Sequence, residues 1–555
     1  MFTSGKRALL ALLREEGVES LFGNPGTTEL PLMDGLVVEP GVRYVLGLQE
    51  AAVVAMADGY ALASGRLAAV SVHVAPGLGN ALGMLYDAQQ AGSPLLVTAG
   101  QHDQSFSVTE PILWADLPPI ARPFVKWASE VRRLADLPRL VHRAATTALA
   151  PPTGPVFLSL PADVLQAEGE LDLGSPTRIA SRLRGDRAAV EAAAELLARA
   201  ERPLIIAGDA VAQGDAHAEL ARVAELLGAP VYNESVPNRA TFPASHPLYR
   251  GTFVRQGPAI RRLLLEADAL FSVGGDLFTL SLPPDEDPVP PGFPIVHLDT
   301  DPRQLGKNYP TQVAILGDPK VTLPELADAL GACLTPEARE RARRRLEAAW
   351  ETRRRQREDL LAQARALAGR APMAPLALLG AVAEALPYDA VVVDETLSSG
   401  AGLATLLRTE DPRSLFGFRG GGIGWGIPAA IGIKLALPDR PVVALVGDGS
   451  AMYTCQALWT AARYRVGVTF VILNNASYRI LKQRLHAMKG HAAQADQYVA
   501  MDIDDPRVDY VGLARSLGVP AERVAQTAHV GPALTKAIAA GEPVLLDVPL
   551  DPAFK

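Results

Sequence analysis

Residues 441–475 read PVVALVGDGSAMYTCQALWTAARYRVGVTFVILNN. The apolar run at 442–446 has the length and branched content of a buried strand. Gly447-Asp448-Gly449-Ser450 ends that run. A helix is expected over 451–464 and a second strand over 468–473, closing on Asn474-Asn475. The pattern is a βαβ unit. Asp448 and Asn475 are 475 − 448 = 27 residues apart, which puts both at the same edge of neighbouring parallel strands. A carboxylate and an amide oxygen converging there suit a hard divalent cation such as Mg²⁺. The N–H groups of Gly447 to Ala451, at a helix start, suit phosphate oxygens. Together they describe a diphosphate held through a metal. The bland alternative is a polar strand-to-helix turn and an incidental pair of asparagines.

The same alternation extends outward into three blocks. In residues 1–170, strands are expected at 42–48, 67–74 and 94–99, helices at 50–62 and 80–90, and an extended segment at 154–160. Both strand faces are apolar, as in a parallel sheet covered on two sides. A polar linker follows at 168–186. Residues 187–330 form a second α/β block, with strands at 203–207, 269–273 and 295–298 and a helix at 216–227. Thr335 and Pro336 open a connecting helix within 331–371. Its Arg343-Arg344-Arg345 and Arg353-Arg354-Arg355 runs are interleaved with Glu340, Glu347, Glu351 and Glu358, the pattern of a solvated helix. Residues 372–555 are laid out much as the first block is. The expected fold is α/β, in three domains, each a parallel sheet flanked by helices.

Composition narrows the function. The chain has 555 residues and carries 61 acidic against 53 basic side chains, a net charge of −8. That disfavours a nucleic-acid binder that works by neutralising phosphates. Two cysteines, Cys333 and Cys455, cannot form a disulfide framework. No apolar run reaches the length of a membrane span and no signal peptide is evident, so a cytoplasmic enzyme acting on a small molecule is expected. No G-x-x-x-x-G-K-[ST] motif is present, and the glycines at 77, 79 and 83 miss the dinucleotide fingerprint.

Ligands in such sheets bind beyond the carboxyl ends of the strands. Glu50 stands there, opening a helix apolar on nearly every face. Burial would favour its protonated form and let it share a proton with a ring nitrogen. It could equally be an N-terminal acid stabilised by the helix dipole. Gly23-Asn24-Pro25-Gly26-Thr27, followed by Glu29, is a turn with a hydroxyl at its tip. His73 ends a strand and is either structural or catalytic, with Asn80 a short way beyond. Glycines at 417, 420, 421, 422, 424 and 426 surround Ile423. They form either a flexible loop or a backbone brought close to a flat ligand, with one apolar side chain wedged beneath it.

These residues together resemble the thiamine-diphosphate-dependent 2-oxo-acid decarboxylase and acetolactate synthase superfamily, and within it the benzoylformate decarboxylase branch. The resemblance spans essentially the whole chain. It is carried by Gly23-Asn24-Pro25-Gly26, Gln49-Glu50-Ala51, Ala57-Asp58-Gly59-Tyr60-Ala61, Gly79-Asn80-Ala81, Gly447-Asp448-Gly449-Ser450, Ala457-Leu458-Trp459-Thr460-Ala461-Ala462 and Asn474-Asn475. It implies an aminopyrimidine-binding domain, a central domain and a diphosphate-binding domain. It also implies a homodimer or homotetramer with sites between subunits. By the same resemblance, Asp448, Asn475 and the Ser477 carbonyl would hold Mg²⁺. Ser398 and Ser450 would meet the diphosphate, with Gly447, Gly449 and Tyr478 beside it. Ile423 would keep the cofactor bent, and the Gly421 carbonyl would accept from its amino group. Glu50 would act at the pyrimidine nitrogen, with Asn80 also in contact. His73 and Thr27 would serve the substrate, in a pocket that Asn24 shares. The implied reaction is non-oxidative decarboxylation of a 2-oxo acid through a C2 ylide and an enamine; the alternatives are an acetolactate-synthase-type carboligase and an acyl-CoA lyase.

Three departures stand out. The branch has serine where Thr27 stands. Its second active-site histidine has no counterpart in Gly275-Asp276-Leu277-Phe278-Thr279-Leu280-Ser281. The helix after Asn475 offers Ile480 and Arg484 in place of a small residue and an aromatic one. An arginine in the pocket would suit a substrate with a second anionic group; its alternative place is in solvent.

Overall fold

Runs three to seven residues long, mostly apolar, become the inner strands of three parallel sheets. The computed structural model describes residues 1–554 apart from 235, 236 and 281. The first block contains β1 (Phe2–Ser4), β2 (Ser20–Gly23), β3 (Arg43–Leu46), β4 (Ala68–Val72), β5 (Leu95–Gln101), β6 (Ala128–Glu130), β7 (Val156–Pro161) and β8 (Glu168–Glu170). β1 and β8 pair antiparallel, and the other six form a sheet in the order β3-β2-β4-β5-β7-β6. The central block contains β9 (Pro203–Ala207), β10 (Val231–Asn233), β11 (Tyr249–Thr252), β12 (Ala269–Val273), β13 (Ile295–Asp299) and β14 (Val313–Leu316). Its order, β11-β10-β9-β12-β13-β14, is that of a doubly wound sheet. The third block contains β15 (Val391–Glu395), β16 (Leu415–Phe416), β17 (Val442–Gly447), β18 (Val468–Asn474), β19 (Ala521–Arg523) and β20 (Val544–Pro549). They lie in the order β16-β15-β17-β18-β20-β19.

Counted within each six-stranded sheet, the first and third share one order, second-first-third-fourth-sixth-fifth. The winding of each reverses after its first strand, between β2 and β4 in one and between β15 and β17 in the other. Crevices at such reversals are where α/β sheets bind ligands. Asn24 and His73 follow β2 and β4, while Ser398 and Asp448 follow β15 and β17. Two half-sites of like construction thus arise in one chain. The helix Pro336–Ala366 joins the central and third blocks.

Two elements differ from the sequence reading. The helix expected at 451–464 is split into Asp448–Ala451 and Ala457–Tyr464. In the break, the Thr454 hydroxyl donates to the Gly424 carbonyl, a bond that draws the chain towards the glycine loop. The helix expected at 80–90 begins at Val74 and runs to Ala91. Pro76 falls in its first turn, where a missing N–H costs nothing.

The first and third blocks share one hydrophobic core. Its spine is the crossing of the Glu50 helix (Glu50–Ser64) and the Gly426 helix (Gly426–Ala436). A Cβ at Gly432 would stand 1.9 Å from the Met56 carbonyl oxygen, and one at Gly59 would stand 2.3 Å from that of Ala429. Position 56 faces 432 and position 59 faces 429, so the two helices run antiparallel. Glu50 therefore lies near the far end of the Gly426 helix. There Leu46 N–H donates to the Tyr464 hydroxyl (3.0 Å), and the Thr460 hydroxyl donates to Leu46 O (2.9 Å).

We expect Gly432→Ala to cost about 1–3 kcal/mol by overpacking this crossing. Thermal unfolding of the variant checks it, and an unchanged midpoint would refute the close approach.

Candidate active site

The first half-site is a carboxylate set between two amides. Gln49 caps the Glu50 helix by accepting from Ala52 N–H (3.0 Å). Asn24 Nδ2 donates to Glu50 Oε1 and Asn80 Nδ2 donates to Oε2, each at 3.0 Å. Glu50 is buried, so the two amides fix its plane in a setting poor in water. Gly77, in the first turn of the next helix, lies beside Oε1.

His73 caps that helix and is tied to a second acid. Its Nδ1 lies 2.8 Å from Glu29 Oε2 and 3.1 Å from the Thr28 hydroxyl. Glu29 is 2% exposed and also accepts from Gly26 N–H (2.9 Å), Gly100 N–H (2.7 Å) and the Thr28 hydroxyl (2.9 Å). A carboxylate on Nδ1 holds the proton there and leaves Nε2 free to exchange one. Thr27 is exposed, whereas its neighbour Thr28 is buried against His73. The signal for Glu29 was its spacing: an acid three residues after Gly26 reaches back to that residue's N–H, as in a capping box.

The second half-site gathers oxygens. Asp448 is 2% exposed, and its Oδ2 accepts from Ala476 N–H at 2.6 Å. Burial pushes its carboxyl up to about 6. Asn475 is buried, and its Oδ1 has no hydrogen-bond partner. Ala476 takes a left-handed conformation (φ 54°), which turns the chain around this point. Ser477 Oγ donates to Met501 O (3.0 Å), so its own side chain is engaged elsewhere. The Tyr478 ring covers Gly449: a Cβ there would stand 2.8 Å from the ring. Ser450 is buried and Ser398 half-buried. A buried carboxylate next to an orphaned amide oxygen is a donor set suited to a hard cation. Among the described residues, no group of three or more His, Cys, Asp or Glu side chains could hold a metal ion. Any cation here would therefore depend on the amide and backbone oxygens.

Beside the second half-site runs the glycine loop, and carboxylates hold it. Glu395 accepts from Gly424 N–H and Gly426 N–H, both at 2.6 Å. Asp58 accepts from Trp425 Nε1 at 2.6 Å. Arg419, in the loop itself, reaches into the central block, 3.1 Å from Asp209, 3.1 Å from Glu234 and 3.0 Å from Asp276. Gly421 (φ 80°) is exposed, and Ile423 packs on the shared core. The sequence reading gave these anchors no role.

The remaining expected residues are more dispersed. Ile480 is half-buried and Arg484 is exposed on the helix Arg479–Ala487. In the central segment, Leu277 (φ 48°) and Phe278 (φ 63°) are both left-handed and buried, while Ser281 lies outside the described residues.

Two like-wound sheets whose switch points offer an acid and an oxygen cluster define a cofactor-dependent α/β protein. Three family descriptions match the chain. They are the N-terminal TPP-binding domain of thiamine pyrophosphate enzymes at residues 3–113, their central domain at 190–326 and their C-terminal TPP-binding domain at 398–548. The chain belongs to the thiamine pyrophosphate enzyme family. It is 34% identical over 542 residues to benzoylformate decarboxylase of Pseudomonas aeruginosa, covering 97% of each chain. It is 28% identical to a probable acetolactate synthase large subunit of Methanococcus aeolicus, over 99% of this chain and 92% of that one. It superposes on the 4-hydroxybenzoylformate decarboxylase of Rhodococcus jostii RHA1 with a TM-score of 0.86 and 32% identity, each chain fully covered. No helix among the described residues is long and apolar enough to cross a membrane.

Glu29→Gln keeps the size of the side chain and removes its charge beside His73. Turnover should fall, and stability should drop by about 1–3 kcal/mol, because both oxygens of Glu29 accept from backbone N–H groups and the glutamine amide must leave one unpaired. Full activity in the variant would exclude a role for this pair.

Proposed function

We propose that the chain is a thiamine-diphosphate- and Mg²⁺-dependent decarboxylase of a 2-oxo acid, resembling benzoylformate decarboxylase. In this reading, residues 1–170 hold the aminopyrimidine, 372–555 hold the diphosphate and metal, and 187–330 form the central domain. The observation that carries it is Glu50, buried with an asparagine amide on each carboxylate oxygen. A site built this way keeps one acid oriented towards a ring nitrogen.

Asp448, Asn475 and the Ser477 carbonyl would hold the metal, and the orphaned Asn475 Oδ1 supports that assignment. Ser398, Ser450 and the backbone of Gly447 and Gly449 would receive the diphosphate, with Tyr478 alongside. When bound, thiamine diphosphate supplies a carbon nucleophile and an electron sink for the departing carboxylate. The chain supplies placement and protons. Glu50 holds the proton at the pyrimidine nitrogen, the Gly421 carbonyl accepts from the amino group and Ile423 supports the ring. His73, with Nδ1 committed to Glu29, offers Nε2 to a substrate oxygen or carbanion. That proton supply favours release of an aldehyde over joining to a second carbonyl. Thr27 and Asn24 would meet the substrate carboxylate, and Ile480 would shape the pocket. Arg484 would meet a second anionic group only if a substrate reaches the exposed face of its helix.

The antiparallel helix crossing supports sites shared between subunits. Within one chain, Glu50 sits by the edge of the third sheet opposite to Asp448, and β17 alone spans about 20 Å between those edges. A homodimer, or a homotetramer of two dimers, would bring one chain's Glu50 to its partner's metal residues.

Incubation with a panel of 2-oxo acids, thiamine diphosphate and Mg²⁺ should yield CO₂ and aldehyde in equal amounts. A hydroxyketone product would instead favour a carboligase. Glu50→Gln should remove most turnover, and Asp448→Ala should remove Mg²⁺-dependent cofactor retention. Co-expressed, these two inactive chains should regain activity, because mixed dimers carry one intact site. If the mixture stays inactive, shared sites are excluded.

A further inference from the structure

Asp87 is the one charged residue in the helix Val74–Ala91. It is 2% exposed, and it meets the glycine loop of the third block. Its Oδ1 accepts from Gly422 N–H at 3.0 Å, and its Oδ2 is buried with no hydrogen-bond partner. The fit is close on both sides. A Cβ at Gly420 would stand 2.0 Å from Oδ1, and one at Gly422 would stand 2.6 Å from Oδ2. Gly421, between them, is exposed and left-handed.

We propose that Asp87 is a positioning residue that sets the height of the glycine loop, and so the place of the Gly421 carbonyl, for the cofactor's pyrimidine. This rests on the assignment of that carbonyl under Proposed function. Arg419 pulls the loop towards the central block, and Asp87 fixes it from the first block. The same helix begins directly after His73, and 87 − 74 = 13 residues of helix span about 20 Å. One end of it serves the half-site of Glu50 and the other serves the glycine loop. In a shared-site dimer these belong to different active sites, so one rigid helix joins them.

Electrostatics gives this contact a signature. Burial pushes Asp87 up to about 8, against the Gly422 N–H bond, which pulls it down; the carboxylates of Asp58, on the Glu50 helix, and Glu395, at the end of β15, push it up as well. Asp58 itself is raised to about 6 and Glu395 to about 7; Arg239 is a cation acting on Asp58. Asp87 is thus held towards its neutral form. Its stabilisation of the closed loop is complete below the free carboxyl's value of about 4 and is lost progressively as pH rises towards 8.

The test compares the parent protein with Asp87→Asn and Asp87→Ala, first without cofactor. Hydrogen exchange of the segment 418–426, corrected for intrinsic rate, should show protection that falls between pH 5 and 8 in the parent. At 420–422 it should fall less steeply with pH in Asp87→Asn, whose amide oxygen still accepts from Gly422 N–H while Asp58 and Glu395 still titrate, and be lost in Asp87→Ala. Calorimetry with thiamine diphosphate and Mg²⁺ should then show binding within about 2-fold of the parent for Asp87→Asn and at least about 10-fold weaker for Asp87→Ala, the worth of one hydrogen bond. Unchanged protection in Asp87→Ala, or failure of Asp87→Asn to restore it, overturns the proposal. If the exchange results hold but the parent binds no thiamine diphosphate, the contact stands as a loop anchor; the cofactor reading fails, and the proposed role with it.

Discussion

Two helices in contact through bare backbone organise this molecule. Gly59 and Gly432 let the Glu50 helix and the Gly426 helix approach until each helix's carbonyls occupy the space where the other's side chains would be. Neither helix has a polar face to spare, and both are buried along almost their full length. The crossing therefore fixes the first sheet on the third with little freedom to slide. Glu50 begins one helix and the glycine loop leads into the other, so the same contact decides where both halves of the site stand.

Around that apolar crossing lies an unusual set of acids. Asp58, Asp87 and Glu395 are each buried, and each accepts a hydrogen bond from the glycine loop or its tryptophan. A loop rich in glycine has a large conformational entropy to lose. Amide and indole donors that find fixed acceptors offset that loss without adding side chains that would crowd a ligand. Arg419 completes the arrangement from within the loop and ties it to three carboxylates of the central block. Breaking such a buried pair on one side leaves an uncompensated charge, which is costly. The central block, which offers neither half-site, thereby shares in shaping the loop.

Much of this was legible in the sequence. Strand ends in parallel sheets are sharply marked by glycine, aspartate and asparagine, so Asp448 and Asn475 could be placed at one edge from spacing alone. The three-domain α/β fold followed from apolar runs on both strand faces. What spacing could not resolve was the phase of irregular segments. A single turn of 3-10 helix at Thr27–Glu29 decides which of two adjacent threonines points inward, and periodicity carries no information about that. A left-handed turn at Ala476 precedes the helix Arg479–Ala487, on which Arg484 is exposed. The antiparallel crossing and the matching strand order of two sheets come from tertiary packing, which one sequence does not display. Asp87 was visible as the lone charge in an otherwise neutral helix, yet its partner lies 335 positions away.

The antiparallel crossing has a quantitative corollary for the molecule in dilute solution. If an acid and its complementary oxygen cluster can meet only across a subunit boundary, catalytic competence is a property of the assembly and depends on protein concentration by mass action. Diluting the protein would then silence it without unfolding a single domain, and a cofactor bridging the boundary would act as the bolt that keeps the halves together.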